Sequence, residues 1–183
     1  MLTSLPNMLT FSRIVMIPLL IGTFYLKAPL ANWLALVIFT LAGITDYYDG
    51  YFARKQQQVS RLGQFMDPVA DKLLIAAALM MMVAFGRITG YSILAAVVIL
   101  CREILVSGLR EFLAEIKVSV PVTKLAKWKT TFQILALGFL LVGDASPAWI
   151  PAITIGTVCL WLAALLTFYT GYDYLRAGLK HMT

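Results

Sequence analysis

Charged and metal-binding side chains are scarce in this sequence of 183 residues. Only 13% of its residues are charged against 61% hydrophobic, and the mean hydropathy is +0.85. These values lie outside the usual range of a soluble domain of this length. With one histidine and two cysteines, we expect neither a disulfide framework nor a metal site built from sulfur and imidazole. We interpret Cys101 and Cys159, which lie in apolar runs, as packing residues. The composition therefore predicts an integral membrane protein.

The apolar residues are grouped in uncharged runs, at residues 14–26, 28–45, 73–86, 88–101, 130–143 and 145–172. Several runs are shorter than the roughly 20 residues that cross a bilayer. Each short run can be completed by extending it through charged residues at one of its ends. We predict an all-α membrane protein with six transmembrane helices, preceded by a short interfacial segment at residues 1–11. Because no repeat or domain boundary is visible, we expect one domain over residues 1–183.

The basic residues are distributed unevenly along this topology. Of the 15 lysines and arginines, only Lys27 and Arg87 would fall on the outer side of six spans. Short cytoplasmic loops retain Lys and Arg, so both termini are predicted to face the cytoplasm. Without a basic tail or soluble domain, the net charge of +6 indicates topology and anionic lipid or phosphate rather than nucleic acid. Residues 14–26 after Arg13 loosely resemble a signal peptide but lack a convincing cleavage site, so we interpret them as the first span.

Four aspartates in a fixed frame lie on the predicted cytoplasmic side. The frame contains Asp46, Asp49, Gly50, Ala53 and Arg54, then eight residues, then Gly63, Asp67 and Asp71. In helices these spacings place the aspartates of each half on one face. Carboxylates gathered near an apolar medium would repel and take up protons unless a cation joined them. Oxygen ligands without His or Cys favour Mg²⁺ or Mn²⁺, so we interpret the frame as a metal pair that holds a diphosphate.

The small residues of the frame admit two interpretations. Gly50, Ala53 and Gly63 remove bulk beside the aspartates, where a base or ribose could approach the backbone. Small residues at such spacings also let membrane helices pack closely. The aspartates themselves could be a solvated helix end or a cation pathway in a transporter. A transporter more naturally places its acids near mid-span, often in a repeated half, whereas these acids cluster at one membrane face.

This frame, Asp-x-x-Asp-Gly-x-x-Ala-Arg followed by eight residues and Gly-x-x-x-Asp-x-x-x-Asp, resembles the signature of the CDP-alcohol phosphatidyltransferases. Every fixed position is present. Further segments resemble the members of that family that use glycerol 3-phosphate as acceptor, namely Asn7, Thr10, Arg13, Pro18, Arg102-Glu103, Ser107-Gly108-Leu109-Arg110, Lys127-Trp128-Lys129-Thr130 and Gln133. One departure is Ala126, because those members place glycine before the first lysine. The resemblance covers most of the chain and thins over the last span.

The resemblance implies a fold, a reaction and a set of roles. It implies six transmembrane helices, a homodimer in the bacterial inner (cytoplasmic) membrane, and a cytoplasm-facing active site. A hydroxyl of sn-glycerol 3-phosphate would attack the phosphatidyl phosphorus of CDP-diacylglycerol and release CMP. Two Mg²⁺ or Mn²⁺ ions would be held by Asp46, Asp49, Asp67 and Asp71, and Asp71 would be the general base. The cytidine diphosphate would bind at Asp49, Gly50, Ala53, Arg54 and Gly63.

The phosphate of the acceptor needs cations of its own, and a second basic group is available. We predict Arg110, Lys127 and Lys129 as its first ligands, with Arg13 and Arg102 behind them. Each of these residues could instead serve positive-inside topology or contact lipid headgroups. Inositol phosphate carries the same charge as glycerol 3-phosphate, and phosphatidylglycerol and serine are further acceptors that use the same chemistry. Our prediction that sn-glycerol 3-phosphate is the acceptor therefore rests on the resemblance.

Overall fold

The computed structural model describes residues 5–56, 61–116, 118 and 124–179. These residues form the helices α1 (Leu5–Thr23), α2 (Leu30–Gln56), α3 (Arg61–Ala84), α4 (Ser92–Glu115), α5 (Lys124–Val142) and α6 (Ala152–Leu179), with a 3₁₀ turn at Gly143–Ala145. Within the described ranges all regular structure is helical, which confirms the all-α prediction. The chain groups into two compact units, Met1–Arg87 with Leu141–Ile150, and Ile88–Leu140 with Pro151–Thr183.

Among the described residues, two helices are long and apolar enough to cross a membrane. They are Ser92–Glu115 and Ala152–Arg176, with mean hydropathies of 2.1 and 1.9. Shorter apolar helices occupy Met8–Thr23 and Leu30–Asp46. Large apolar side chains such as Ile104 on α4 and Phe168 on α6 are exposed, as expected of surfaces that meet lipid. A membrane protein is therefore supported by helix length and by surface composition.

The first helix begins earlier than the uncharged runs predict. Residues 5–11, which we expected to form a separate interfacial segment, are continuous with the rest of α1. No glycine or proline interrupts residues 7–17, so the backbone has no local reason to leave the helix there. Residues 1–4 lie outside the described ranges.

The connections between several of the helices are short. Turns occur at residues 24–29 and 85–91, and the 3₁₀ turn begins at Gly143. Gly86 and Gly143 have φ angles of 68° and 50° just after α3 and α5. This left-handed conformation is the one in which helices commonly end at glycine. Gly86 and Gly143 therefore end the helices that precede them.

In the first unit, α1 packs against both α2 and α3. Its core contains Leu20 of α1, Ala35 and Ala42 of α2, and Ala70 and Met82 of α3, all at most 1% exposed. The alanines permit close approach of the helix backbones, as is usual between membrane helices. This packing brings the N-terminal helix against both helices that carry the aspartates.

Arg87, one of the two basic residues predicted on the outer side, is held by neutral oxygen atoms. Its Nη1 donates a hydrogen bond to the carbonyl oxygen of Leu141, and its Nη2 donates one to Asn32 Oδ1 at 2.6 Å. The guanidinium carbon lies 4.7 Å from the ring centre of Phe24. Asn32 in turn donates to the carbonyl of Val142 at 2.8 Å. Because the last carbonyls of a helix lack intrahelical partners, Arg87 and Asn32 together cap the end of α5.

In the second unit, α4 packs against α6, and glycines of α6 permit close contacts. A Cβ atom at Gly156 would lie 2.7 Å from Leu140 Cγ, and one at Gly178 would lie 2.9 Å from Leu109 Cδ1. Both distances are too short for ordinary van der Waals contact. These glycines therefore leave room for leucines of neighbouring helices.

Candidate functional site

Both halves of the aspartate frame lie on helices, as the spacing predicted. Asp46 and Asp49 lie in the second half of α2, and Asp67 and Asp71 lie in the first half of α3. The α3 helix continues through Pro68. The described side chains do not include those of Asp49, Ala53 and Arg54, and the surroundings of Gly50 are not described either. The geometry of the site is therefore described for the other three carboxylates, which we name the aspartate cluster: Asp46, Asp67 and Asp71.

Arg13 of α1 joins the three members of the aspartate cluster. Its Nη1 lies 2.8 Å from Asp46 Oδ1 and 2.6 Å from Asp71 Oδ1, and its Nη2 lies 2.6 Å from Asp67 Oδ1. The arginine side chain is 0% exposed, whereas the carboxylates retain 41–46% exposure. Charge-assisted hydrogen bonds of this length are strong. The cluster is thus bound by a fully buried cation while its carboxylates stay accessible.

The electrostatic environment of the cluster explains why it needs a cation. Asp71 precedes the apolar run at residues 73–86, at the polar end of α3. The pKa of Asp71 is raised to about 7, first because burial disfavours the charged carboxylate and second because of the charge of Asp46, while Arg13 acts in the opposite direction. Gathering like charges in a poorly solvated place has this effect on a carboxyl group. Additional positive charge would therefore favour the ionised form.

The donor atoms suit a hard divalent cation, but the described side chains are not arranged around one. Carboxylate oxygens without nitrogen or sulfur are the ligands of Mg²⁺ and Mn²⁺. Among the described residues, no group of three His, Cys, Asp or Glu side chains is close enough to hold an ion. The guanidinium of Arg13 stands among the aspartates and supplies the positive charge that a metal would supply. The ligand chemistry fits a divalent ion, and Arg13 is the residue with which such an ion must compete.

A second charged group, in the other unit, combines three predicted acceptor ligands with one acid. We name Arg102, Arg110 and Lys129 the cation cluster. Lys129 of α5 is buried and forms a short ion pair with Glu103 of α4. Arg102 Nη1 lies 3.7 Å from Glu103 Oε1. Glu103 thus contacts two cations from two helices, which fixes their positions relative to each other.

Helix α6 supplies a polar face to the cation cluster that we did not predict from the sequence. Arg102 donates to Thr170 Oγ1 at 3.2 Å, while that hydroxyl donates to the carbonyl of Leu166. Arg110 donates to the Tyr174 hydroxyl at 3.0 Å and lies 5.3 Å from the ring centre. A Cβ atom at Gly171 would lie 2.9 Å from Arg102 Cγ.

A sequence signal for this face exists. Thr167, Thr170, Gly171 and Tyr174 are spaced by three, one and three residues, which places them on one side of a helix. Thr167, Thr170 and Tyr174 are at most 4% exposed. Polar side chains at helical spacing within a long apolar helix indicate a buried polar contact. The uniform hydrophobicity of residues 145–172 obscured this pattern.

Several buried polar atoms of the second unit lack a partner within the described residues. They are Arg102 Nε, Gln133 Oε1 and Thr167 Oγ1. Buried polar groups are normally hydrogen-bonded, so such atoms indicate a water molecule or a ligand. The other predicted acceptor ligand, Lys127, is exposed on α5. The structure therefore brings Arg102, Arg110 and Lys129 into contact with polar partners, leaves Lys127 at the surface, and places Arg13 among the aspartates.

Comparisons with known proteins agree with the frame. The family model described as CDP-alcohol phosphatidyltransferase matches residues 3–169. A protein of Rickettsia bellii named CDP-diacylglycerol–glycerol-3-phosphate 3-phosphatidyltransferase is 47% identical over 178 residues, covering 97% of each chain. Proteins of the same name from Haemophilus influenzae and Cereibacter sphaeroides are 39% and 36% identical, covering 96% and 98% of this chain and 93% and 97% of their own.

Proposed function

Because the chain belongs to the CDP-alcohol phosphatidyltransferase family, as its aspartate frame predicted, we propose that it transfers the phosphatidyl group of CDP-diacylglycerol to sn-glycerol 3-phosphate. The products are phosphatidylglycerophosphate and CMP, and the reaction belongs to phospholipid biosynthesis. The observation that carries this proposal is the full-length similarity to proteins named for that activity. Similarity across 93–97% of the relatives' length includes both the aspartate frame and the second basic group.

Asp71 is the proposed general base. A hydroxyl oxygen of the acceptor forms a bond with the phosphatidyl phosphorus, the bond from that phosphorus to the CMP oxygen breaks, and the hydroxyl proton passes to Asp71. A base must be ionised and accessible to accept this proton. Asp71 retains 46% side-chain exposure, and the positive charge of Arg13 lies 2.6 Å from its Oδ1 and favours its ionised form. These observations support the assignment.

The four aspartates Asp46, Asp49, Asp67 and Asp71 are the proposed ligands of two Mg²⁺ or Mn²⁺ ions. When bound, such ions neutralise charge on the diphosphate and on the departing CMP. The donor chemistry of the aspartate cluster supports this choice. The cytidine diphosphate is proposed to bind beside the ligands, at Asp49, Gly50, Ala53, Arg54 and Gly63. Two of these positions are glycines and one is alanine, residue types that would leave little side-chain bulk between a nucleotide and the helix backbones.

The cation cluster is the proposed site of the acceptor phosphate. Arg102 Nε is buried without a protein partner in the described chain, and Glu103 holds Lys129 in place by an ion pair. Arginine and lysine supply several N–H donors to a phosphate. Arg110 and Lys127 are proposed as further ligands. Arg13 also stays a predicted acceptor ligand, although its Nη atoms contact the aspartate cluster.

The membrane arrangement is proposed from the charge distribution. Six helices cross the bacterial inner membrane, both termini and the aspartates face the cytoplasm, and two copies form a homodimer. The cap at the end of α5 supports the orientation, because it accounts for Arg87, one of the two cations on the outer side. An arginine whose donors are bound by carbonyl oxygens has a structural reason to lie on the outer side, so its position is compatible with the positive-inside rule. We propose a single catalytic domain over residues 1–183.

The reaction is tested by offering purified protein CDP-diacylglycerol with one acceptor at a time and measuring CMP release. We expect release with sn-glycerol 3-phosphate in the presence of Mg²⁺ or Mn²⁺, and little with inositol phosphate, phosphatidylglycerol or serine. Release with one of the other acceptors alone would change the substrate but keep the chemistry. Failure with all acceptors, together with ion or solute flux in proteoliposomes, would favour a transporter instead.

A further inference from the structure

Arg13 has a position that acceptor binding does not explain. Its side chain is 0% exposed, and its two Nη atoms contact one oxygen of each member of the aspartate cluster. The three aspartates come from two helices, and Arg13 comes from a third. A single guanidinium therefore connects α1, α2 and α3 at the proposed metal site.

The charges in this group stabilise one another. A guanidinium taken out of water destabilises a fold strongly unless carboxylates and hydrogen bonds compensate for the lost hydration. Carboxylates held close together repel one another unless a cation lies between them. The contacts of 2.6–2.8 Å give the guanidinium carboxylate partners and place a cation between the carboxylates, and the three acids still exceed its single charge.

The same contacts conflict with metal binding. Mg²⁺ requires oxygen ligands at about 2.0–2.1 Å in a nearly octahedral arrangement. The Oδ1 atoms of the aspartate cluster are already engaged by Arg13, and the guanidinium charge repels a divalent ion at short range. A metal ion that binds through these Oδ1 atoms must therefore replace hydrogen bonds that the folded protein already makes.

We infer that Arg13 is the resident counter-ion of the metal-free site, and that a divalent cation binds by displacing its guanidinium from the aspartate cluster. This inference rests on the proposed metal site. Arg13 is then a positioning residue: it keeps carboxylates of α2 and α3 together when no metal is bound, and it weakens metal affinity by competition.

The first test measures Mn²⁺ affinity of the purified protein without substrates, from the electron paramagnetic resonance signal of free Mn²⁺. Arg13→Gln removes the competing charge, and we expect about tenfold tighter Mn²⁺ binding. Without metal, the thermal unfolding midpoint of this variant falls, and Mn²⁺ restores it. Lys27→Gln is the matched control, because Lys27 is an exposed cation outside the helices, and we expect its affinity to stay within about twofold of the original protein. Unchanged or weaker binding in Arg13→Gln would overturn the inference.

A second test needs no substitution and covers the case in which Arg13→Gln does not fold. Phenylglyoxal modifies accessible arginines, and mass spectrometry reports each site. We expect modification of Arg13 to be low in chelator and to rise several-fold with saturating Mn²⁺, while Arg87 is unaffected. Protection of Arg13 at saturating Mn²⁺ would contradict displacement. Because neither readout uses substrate, normal CMP release without these changes rejects only the inference, and the changes without CMP release reject only the proposed reaction.

Discussion

Arg13 and Arg87 belong to the same compact unit, and both place a guanidinium among polar atoms, but their partners differ in charge. Arg13 contacts three carboxylates, whereas Arg87 contacts a backbone carbonyl, an amide oxygen and an aromatic ring. The atoms that Arg87 contacts are neutral, although Asp144 acts on it electrostatically, and the carbonyl of Leu141 lies at a helix end, so these contacts complete the fold. Partners of Arg13 carry charge that exceeds its own, so they can accept a further cation.

This difference separates a structural arginine from one at a reactive site. A helix end needs donors for its last carbonyls and nothing more. Three carboxylates around one guanidinium leave net negative charge, which the fold alone does not require. This charge can attract a metal ion, which in turn can neutralise a diphosphate. The charge of an arginine's partners therefore indicates its role.

Removing the carboxylate of Asp71 tests the reactive role of the site that Arg13 contacts, and this change should have the largest effect. Asp71→Asn cannot accept the hydroxyl proton, so we expect the rate of CMP release to fall about a thousandfold. Asp144→Asn is the matched control, because Asp144 acts electrostatically on Arg87 instead. Its rate should stay within about twofold of the original protein. Near-normal turnover in Asp71→Asn would remove Asp71 from the mechanism.

Removing the hydrogen-bond donors of Arg87 tests its structural role. Arg87→Met leaves the Leu141 carbonyl and Asn32 Oδ1 without their donor, and we expect a loss of about 2 kcal/mol in unfolding free energy. The midpoint of thermal unfolding in detergent measures this loss. CMP release per folded molecule should be unchanged, and Arg87→Lys should lose less stability. If Arg87→Met impaired turnover without lowering stability, the two arginines would not differ as described.

The cation cluster extends the comparison, because Arg102 has both a carboxylate and a hydroxyl neighbour. Gly171→Ala would place a Cβ atom 2.9 Å from Arg102 Cγ and displace the guanidinium. We expect KM for glycerol 3-phosphate to rise about tenfold, while KM for CDP-diacylglycerol stays constant. Gly156→Ala, whose Cβ would meet Leu140 at 2.7 Å, is the control and should lower stability only. Equal effects on both KM values would indicate general disruption of the fold.

The smallest effect is expected at Tyr174. Tyr174→Phe removes the hydroxyl that accepts a hydrogen bond from Arg110 at 3.0 Å but keeps the ring beneath the guanidinium. We expect about a threefold rise in KM for glycerol 3-phosphate, since one hydrogen bond of a partly solvated arginine is lost. Tyr172→Phe, on an exposed tyrosine of the same helix, should change nothing in the steady-state kinetics. A matching rise in that control would contradict a specific role for Tyr174.

Local sequence patterns were sufficient to predict the helices and the helical arrangement of the aspartate frame. The uncharged runs anticipated six helices, and the helical spacing of Asp46 with Asp49 and of Asp67 with Asp71 was correct. These features depend on neighbours within a few residues, which periodicity detects. The start of α1 at Leu5 was not anticipated, because mixed polar and apolar residues obscured its continuity.

Partners distant in sequence could not be predicted in the same way. Arg13 is 58 residues from Asp71, and Arg110 is 64 from Tyr174. Such pairs depend on which helices pack together, and spacing within one helix carries no information about that. The cap made by Arg87 is a similar case, since it joins the end of α3 to a carbonyl 54 residues away. Charge alone therefore identified these cations without identifying their partners.

The most direct measurement of the proposed reaction is the stoichiometry of its products. Purified protein in liposomes receives CDP-diacylglycerol, sn-glycerol 3-phosphate and Mg²⁺, and CMP and the lipid product are quantified by mass spectrometry. We predict one phosphatidylglycerophosphate for each CMP, and neither product when glycerol 3-phosphate is omitted. CMP accompanied by phosphatidic acid, with no phosphatidylglycerophosphate, would show transfer to water and contradict the proposed function.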